Sequence, residues 1–421
     1  MSRIKIKNFG PIKEGCLEND GWLDLRKVTL FIGNQGSGKS TIAKLISIFK
    51  WMEKVLVRGD FTIDLFTQSA KFKEVYCAYH KIQNYFKEDT ALHYQGNAYQ
   101  IDFLNGQLRI IANDTSSYEL PQIMYVPAER NFISTIRNPE LLKLSSDALT
   151  EFLVEFDNAK RQIHSNGMNL PINNAIVVYD DLKDELNIKG EDYKISLIES
   201  SSGFQSIVPL YIVSNILTYS LEHLLIKGNT SYIKKLATKP MSSEELKRFK
   251  KGVSTIWAND DLTDDQRRVA LSALSSKFNK SAFINIVEEP EQNLFPKSQQ
   301  QLLNSLLKLN NVSKGNELIM TTHSPYIINY LTIAIQGMAL QQKINATKHT
   351  NGALSKLHEV VPENATISAK DVVIYQLNEK NGRIEKLDNY EGVPSDDNYL
   401  NQSLAVGNEL FDTLLEIEQG L

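Results

Sequence analysis

Between Ile32 and Thr41 the chain reads Gly33-Asn-Gln-Gly-Ser-Gly-Lys-Ser40, and no other stretch limits its possible folds so strongly. The octapeptide fits the phosphate-loop pattern G-x-x-x-x-G-K-[ST] at every fixed position. Such a loop aims successive backbone N–H groups at phosphate oxygens, and the helix that follows adds the positive end of its dipole. Its glycines take positive φ and let the backbone approach a ligand closely. The device works only between a strand and a helix, and both are present. Lys27–Ile32 ends in the apolar run Val-Thr-Leu-Phe-Ile, and Ser40 to about Lys54 carries Leu45, Ile46, Ile48 and Phe49. Lys39 is placed to reach β- and γ-phosphates and the Ser40 hydroxyl to ligate Mg²⁺. Gly33, Asn34, Gln35, Gly36, Ser37, Gly38 and Thr41 complete the expected cradle.

A second strand signal ends in charge. Phe283-Ile-Asn-Ile-Val287 is continuously apolar, as in a buried parallel sheet, and runs into Glu288-Glu289-Pro290. Alternation along a strand sends adjacent carboxylates to opposite sides, which suits two jobs. Glu288 is expected to hold Mg²⁺, directly or through water, and Glu289 to orient and deprotonate an attacking water. Glu291-Gln-Asn-Leu-Phe-Pro296 then reads as a loop opening a helix at Pro296. Further on, Thr322-His323-Ser324-Pro325 follows the apolar strand Leu318–Thr321, so His323 stands at a strand's C-terminal end, where open α/β sheets bind ligands. Ser201-Ser-Gly-Phe-Gln205 opens an apolar helix that runs to about Leu225.

The remaining chain sets bounds. Residues 91–112 and 175–198 have strand character, 69–86 and 132–165 helical character, and Gln122–Val126 is a short buried strand stopped by Pro127. The last ninety or so residues contain one clear strand, Val372–Leu377, and a terminal helix, Ala405–Glu418. The net charge of −4 demands neither nucleic acid nor an anionic surface as partner. Two distant cysteines, Cys16 and Cys77, argue against a disulfide framework and for a reducing compartment. The N-terminal residues lack a signal peptide's apolar segment, and no apolar run of about 18 residues suggests a span. A cytoplasmic protein with no membrane partner is expected.

Taken together, GNQGSGKST, SSGFQS, INIVEEPEQNLFP and TTHSP resemble the ABC-type ATPases of the SMC, RecF and OLD branch. The opening IKIKNFGPI and the phrase YVPAERNF resemble its smaller bacterial members, often found in anti-phage defence, such as the ATPase subunits of Septu-type systems. The resemblance spans roughly residues 1–335. It implies an α/β head with a mixed-sheet core, an N-terminal antiparallel β-subdomain and a helical subdomain. It places a helical insertion at about 228–280 and a C-terminal α/β extension at 336–421.

The resemblance further implies a site that one chain does not complete. ATP and Mg²⁺ sit between two heads, with Ser202, Gly203 and Gln205 of one chain capping the γ-phosphate held by the other, and His323 contacting that phosphate. Hydrolysis is expected to be possible but not necessarily fast. The implied partners are a second copy, in a head-to-head dimer or larger oligomer, and a separate effector, a nuclease or toxin. No Asp-x-Asp of a fused nuclease follows His323. The alternative is a RecF- or SMC-like ATPase of DNA repair or chromosomes that binds duplex DNA, with the basic run Glu244–Lys251 as its best contact. A transporter subunit fits less well, given NFGPI, THSP and the altered signature. The chain departs from the family pattern in several places. Ser201 and Phe204 stand at the first and fourth signature positions, Glu288 replaces the usual Asp, and Glu129 and Arg130 stand where a Q-loop glutamine is expected.

Overall fold

Strand Val28–Gly33 alternates two buried sets. Val28, Leu30 and Ile32 enter one hydrophobic cluster and Phe31 enters another, so the strand separates two cores. In the computed structural model, which describes residues 2–68, 70–113, 118–136, 146–163, 166–225, 243–258, 281–347 and 352–419, this strand is central to a seven-stranded sheet. The order is Gly15–Cys16, Arg383–Lys386, Val372–Leu377, Val28–Gly33, Glu317–Thr322, Ala282–Glu288, Pro121–Val126. The last five run parallel. Arg383–Lys386 is antiparallel to Val372–Leu377, which makes the sheet mixed.

Phe31 faces the helix Lys39–Arg58 and a five-stranded antiparallel sheet ordered Leu23–Asp24, Arg3–Phe9, Phe86–Gln95, Tyr99–Leu104, Gln107–Ala112. Ile42, Leu45, Ile46 and Phe49 of the helix are buried between the two sheets, and burial of each such side chain contributes about 1.5–3 kcal/mol. Opposite, Val28, Leu30 and Ile32 meet the helices Asp147–Lys160, Ser202–Leu225, Pro296–Asn311 and Pro325–Ala346. A four-stranded antiparallel sheet, Lys194–Ser196, Glu185–Lys189, Ile176–Asp180 and Met168–Asn169, joins that second core. The protein is thus an α/β head with a mixed central sheet, an N-terminal antiparallel β-layer and a helical layer.

Two sequence expectations change. Residues 70–86 do not form one long helix: the wide helical turn Phe72–Cys77 buries Phe72 against Phe49 and Phe103, and the chain reverses at Lys81, φ 57°, towards the strand at Phe86. The division at 335 also needs adjusting. It falls inside the helix Pro325–Ala346, whose Ile335 is core, and Val372–Leu377 pairs along the whole phosphate-loop strand, Val372 with Val28 through Leu377 with Gly33. Parallel pairing needs a crossover, and the helix beginning at Pro325 supplies its first part. Of the insertion at about 228–280, only residues 243–258, with the helix Ser243–Trp257, are among the described residues. Among the described residues no helix is long and apolar enough to cross a membrane, and both cysteines are free and buried.

Candidate nucleotide site

The parallel strands bring their C-terminal ends to one edge. Glu288 pairs with Thr321, Thr321 with Phe31 and Thr322 with Ile32, so Gly33, Glu289 and His323 leave three adjacent strands side by side. The phosphate loop crosses this edge under tight constraint. Gly33 has φ 145°, and a Cβ there would stand 2.5 Å from the Leu377 carbonyl oxygen. Gly38, φ 105°, ends the loop, and a Cβ there would press on Ile12 at 3.0 Å. The loop is therefore held between the N-terminal turn at Gly10–Ile12 and the Leu377 end of the neighbouring strand, and the helix starts at Lys39 without a side-chain cap. An uncapped helix N-terminus leaves backbone N–H groups for an anion.

Lys39 is buried and curls back over the loop. Its Nζ donates to the carbonyls of Gly33 and Asn34, both at 2.8 Å, and stands 3.3 Å from Nδ1 of His323. Burial pulls the ammonium down to about 8, against the fields of Glu289, Glu291, Glu288 and Glu379, which hold it up. The His323 ring continues the chain, with Nε2 3.3 Å from Glu289 Oε1. An ammonium beside Nδ1 makes that nitrogen the acceptor and assigns the ring proton to Nε2, facing the carboxylate. Glu289 is held below the ordinary carboxylate range, first by the His323 hydrogen bond and then by the charges of Lys39 and Arg130, which together outweigh the opposing effect of burial. Behind the ring, the His323 backbone N–H donates to Glu291 Oε1 at 2.7 Å, and burial pushes the Glu291 carboxyl up.

Glu288 ends its strand 3 % exposed. Its Oε2 accepts a long bond from Ala128 N at 3.3 Å, while Oε1 is buried with no hydrogen-bond partner. The Tyr125 phenol is raised well up by burial and by the charge and close approach of the Glu288 carboxylate. Ser37 Oγ is likewise buried and unpartnered. A buried polar atom without a partner costs roughly 1–3 kcal/mol, so these two atoms fit a site shaped for a polar ligand. The Glu288 oxygen suits a hard cation and the loop suits phosphate. Mg²⁺ characteristically takes one or two protein oxygens and completes its shell with phosphate and water, the part expected of Glu288 with Ser40. Ser40 is half-buried and Thr41 buried in the first helical turn. Asn34, Gln35 and Gly36 are exposed, with Asn34 Oδ1 accepting from Gln35 N at 2.8 Å and its Nδ2 facing Glu379 at 3.4 Å.

The Ser-Gly helix start lies apart from this network. Ser202 is exposed and Gly203 half-buried. Gly203 presses on the loop after the acidic strand, where a Cβ would stand 3.0 Å from the Asn293 carbonyl oxygen. The Gln205 amide turns inward and donates to the Ile198 carbonyl at 2.8 Å and, more weakly, to Leu197. Among the described residues no hydrogen bond joins Ser202, Gly203 or Gln205 to the phosphate loop.

Sequence reading left Arg130 without a role. It is fully buried, and its guanidinium donates only to backbone carbonyls: Ser206 at 3.1 Å, Pro127 at 3.3 Å, Glu288 at 2.7 Å and Glu289 at 2.6 Å. Burial lowers it to about 10, so it stays charged at neutral pH, helped by the fields of Glu291, Glu289 and Glu288. Glu289 itself has φ 44°, a left-handed conformation that costs a non-glycine residue about 1 kcal/mol or more. Nothing in the string Pro-Ala-Glu-Arg announces a buried arginine. The only hint is its place directly after a buried strand of the same sheet.

A family model described as an AAA ATPase domain matches residues 266–328, a stretch that includes the acidic strand end and His323. No curated protein matches the chain. Among solved structures, the SMC head domain from Thermotoga maritima is 10% identical with TM-score 0.38, covering 92% of this chain and 98% of that one. An Smc head domain with an extended coiled coil, bound to the C-terminal domain of ScpA and derived from Pyrococcus furiosus, is 10% identical with TM-score 0.36, covering 97% and 100%. A post-hydrolysis dimer of the ATP-binding cassette MJ0796 with ADP and Pi is 13% identical with TM-score 0.27, covering 93% and 100%. Likeness at this level says nothing about what the chain binds or does.

Proposed function

We propose that the protein is an ABC-type ATPase of the SMC, RecF and OLD branch that binds ATP with Mg²⁺ at the Gly33–Thr41 loop and hydrolyses it. The observation that carries this reading is the continuous Lys39–His323–Glu289 chain at the sheet edge, beside the unpartnered Glu288 oxygen. Lys39 gives up its two carbonyl bonds to meet phosphate oxygens. Ser40 and Glu288 hold the metal, which neutralises charge on the phosphates. Glu289, ionised at neutral pH, orients a water and takes its proton. His323 donates from Nε2, holding Glu289 in place and lying within reach of the γ-phosphate. Ser202, exposed, and Gly203, half-buried, lie outside this network and cap the γ-phosphate of a second copy, which makes the working unit a head-to-head dimer. Gln205 joins them after its amide leaves the Ile198 carbonyl.

In this reading the dimer controls or scaffolds a separate nuclease or toxin in bacterial anti-phage defence, in the cytoplasm. The test measures ATP turnover and particle mass together. Glu289→Gln with ATP should bind nucleotide, turn over little and persist as a dimer by light scattering. Wild-type turnover in that variant moves the base elsewhere, and a monomer at saturating ATP removes the two-chain site.

One observation favours a second reading, a DNA-binding ATPase of repair or chromosome type. Lys247, Lys250 and Lys251 are exposed along the helix Ser243–Trp257, whereas Arg248 is engaged with Asp60 at 3.3 Å and Phe61. Three exposed lysines on one helix suit a phosphate backbone. Reversing the three lysines to Glu should then weaken duplex binding and flatten its salt dependence. Equal binding at every salt concentration would discard this reading.

A further inference from the structure

Among the described residues Arg130 is the largest fully buried side chain, and it joins three segments distant in sequence. Its NH1 and NH2 grip the successive carbonyls of Glu288 and Glu289, and its Nε grips Ser206 in the first turns of the helix Ser202–Leu225. Two further contacts bind the same helix start to the same loop: Ser206 Oγ donates to Gln292 Oε1 at 3.3 Å, and Gly203 abuts Asn293. On its other side Glu289 donates its N–H to the Thr321 carbonyl at 2.9 Å. Both flanking peptides of Glu289 are thereby anchored, and the residue is held at φ 44°.

We infer that Arg130 is a positioning residue for hydrolysis: it fixes the Glu289 main chain so that the carboxylate meets His323 and the nucleotide, and it ties that geometry to the Ser202–Gly203 helix start. The inference rests on the ATPase reading and adds a mechanical link to it. When the helix start of one chain engages nucleotide held by another, any displacement of its first turns is transmitted through the guanidinium to the Glu288–Glu289 peptide. A guanidinium is suited to this because its donors form a rigid planar fork. An ammonium presents one point of donation and spans these carbonyls poorly. All the hydrogen-bond acceptors are uncharged carbonyls, so the side chain acts first as a geometric strut, with its charge also favouring the ionised Glu289 carboxylate.

The test compares wild type with Arg130→Lys and Arg130→Gly, each checked by melting temperature and circular dichroism. Binding of a fluorescent ATP analogue and steady-state turnover are measured on the full chain. ATP affinity should stay within about threefold of wild type, because the phosphate loop is untouched, while turnover should fall by about thirtyfold or more. Guanidinium at millimolar concentration should restore part of the turnover of Arg130→Gly, with no gain from ammonium and none for Glu289→Gln. Wild-type turnover in Arg130→Lys overturns the inference. So does an affinity loss that matches the turnover loss, or a folded Arg130→Gly that guanidinium leaves inactive. If Arg130→Gly does not fold, Arg130→Lys decides alone by its split between affinity and turnover. A wild-type chain without ATP turnover removes the ATPase reading and this inference with it, an outcome distinct from any seen only in the variants.

Discussion

The phosphate-loop end of the site and the Ser-Gly helix start are built on different terms. At the first, Lys39, His323, Glu289 and Glu291 are already joined through hydrogen bonds and close charge contacts on one chain, with Lys39 and Glu288 buried. At the second, Ser202 is exposed, Gln205 faces its own preceding turn, and the helix start is tied to the Arg130 guanidinium through the Ser206 carbonyl and to the loop at Gln292–Leu294. One half is preorganised for charge and the other is an open helix end. On the proposed function, one chain grips a polyphosphate with the first half and presents the second half to another copy.

The largest effect belongs to Lys39→Ala. The lysine is the only cation hydrogen-bonded into the loop among the described residues, and charge-assisted contacts to several phosphate oxygens contribute a few kcal/mol. ATP affinity should fall by about a hundredfold or more, with turnover lost. Calorimetric titration checks it, and unchanged affinity would dissolve the first half of the comparison. Glu289→Gln comes next. It preserves size but cannot take a proton, so turnover should fall by roughly a hundredfold while binding holds. Rapid-quench measurement separates the two, and equal losses in both would make Glu289 a binding residue.

Ser202→Glu tests the open half. A carboxylate at an exposed helix start repels a γ-phosphate presented by another chain but lies outside the phosphate-loop network of its own. Affinity of the dilute chain should change less than about twofold, and turnover at high protein concentration should fall about tenfold. If turnover is unaffected and independent of protein concentration, the site is complete in one chain and the contrast fails.

How much of this was legible in the residue string follows the same divide. Short-range chemistry was readable: the phosphate loop, the strand ending in Glu288-Glu289, and the strand ending at His323 lie together on one sheet edge, because parallel pairing aligns strand ends whatever lies between them. Long-range partnership was not. Val372–Leu377 reads as the strand of a tail, yet it completes the sheet beside the phosphate loop, and only the crossover geometry reveals that. Arg130 stands in the sequence only as a residue near the expected Q-loop position, and its burial comes with carbonyls at 206, 288 and 289 converging from other segments. Gln205 reads as a ligand contact, whereas its own 3₁₀ turn at Leu197–Glu199 claims the amide.

A smaller effect lies in pH. Burial holds Lys39 at about 8, so its charge fades as pH passes that value, whereas a free lysine stays charged to about 10. ATP affinity should therefore decline by about threefold to tenfold between pH 7 and pH 9, measured with fluorescent nucleotide at fixed ionic strength. A flat profile would mean that Lys39 is as well solvated as a surface lysine, and that the closed half is open too.

The smallest effect is on stability, and it carries the opposite sign. An ammonium with a folded-state value near 8 and an unfolded value near 10.5 penalises the folded state while it is charged in both. The penalty is complete below about pH 8 and fades as pH rises towards the unfolded value. Lys39→Met keeps an unbranched apolar stem, one atom shorter, and removes the charge, but it also leaves the Gly33 and Asn34 carbonyls without their 2.8 Å donors. Those losses offset much of the gain, so the net stabilisation should be about 1 kcal/mol, or a rise of about 1 °C in melting temperature at pH 7 without nucleotide. The advantage should shrink steadily between pH 8 and pH 10, and added ATP should reverse the order at pH 7, because only the lysine form is stabilised by ligand. Calorimetry across that pH series decides it. A destabilised Lys39→Met at every pH would show that the two carbonyl bonds outweigh the buried charge, and that this half of the site is held together by its lysine rather than held ready against it.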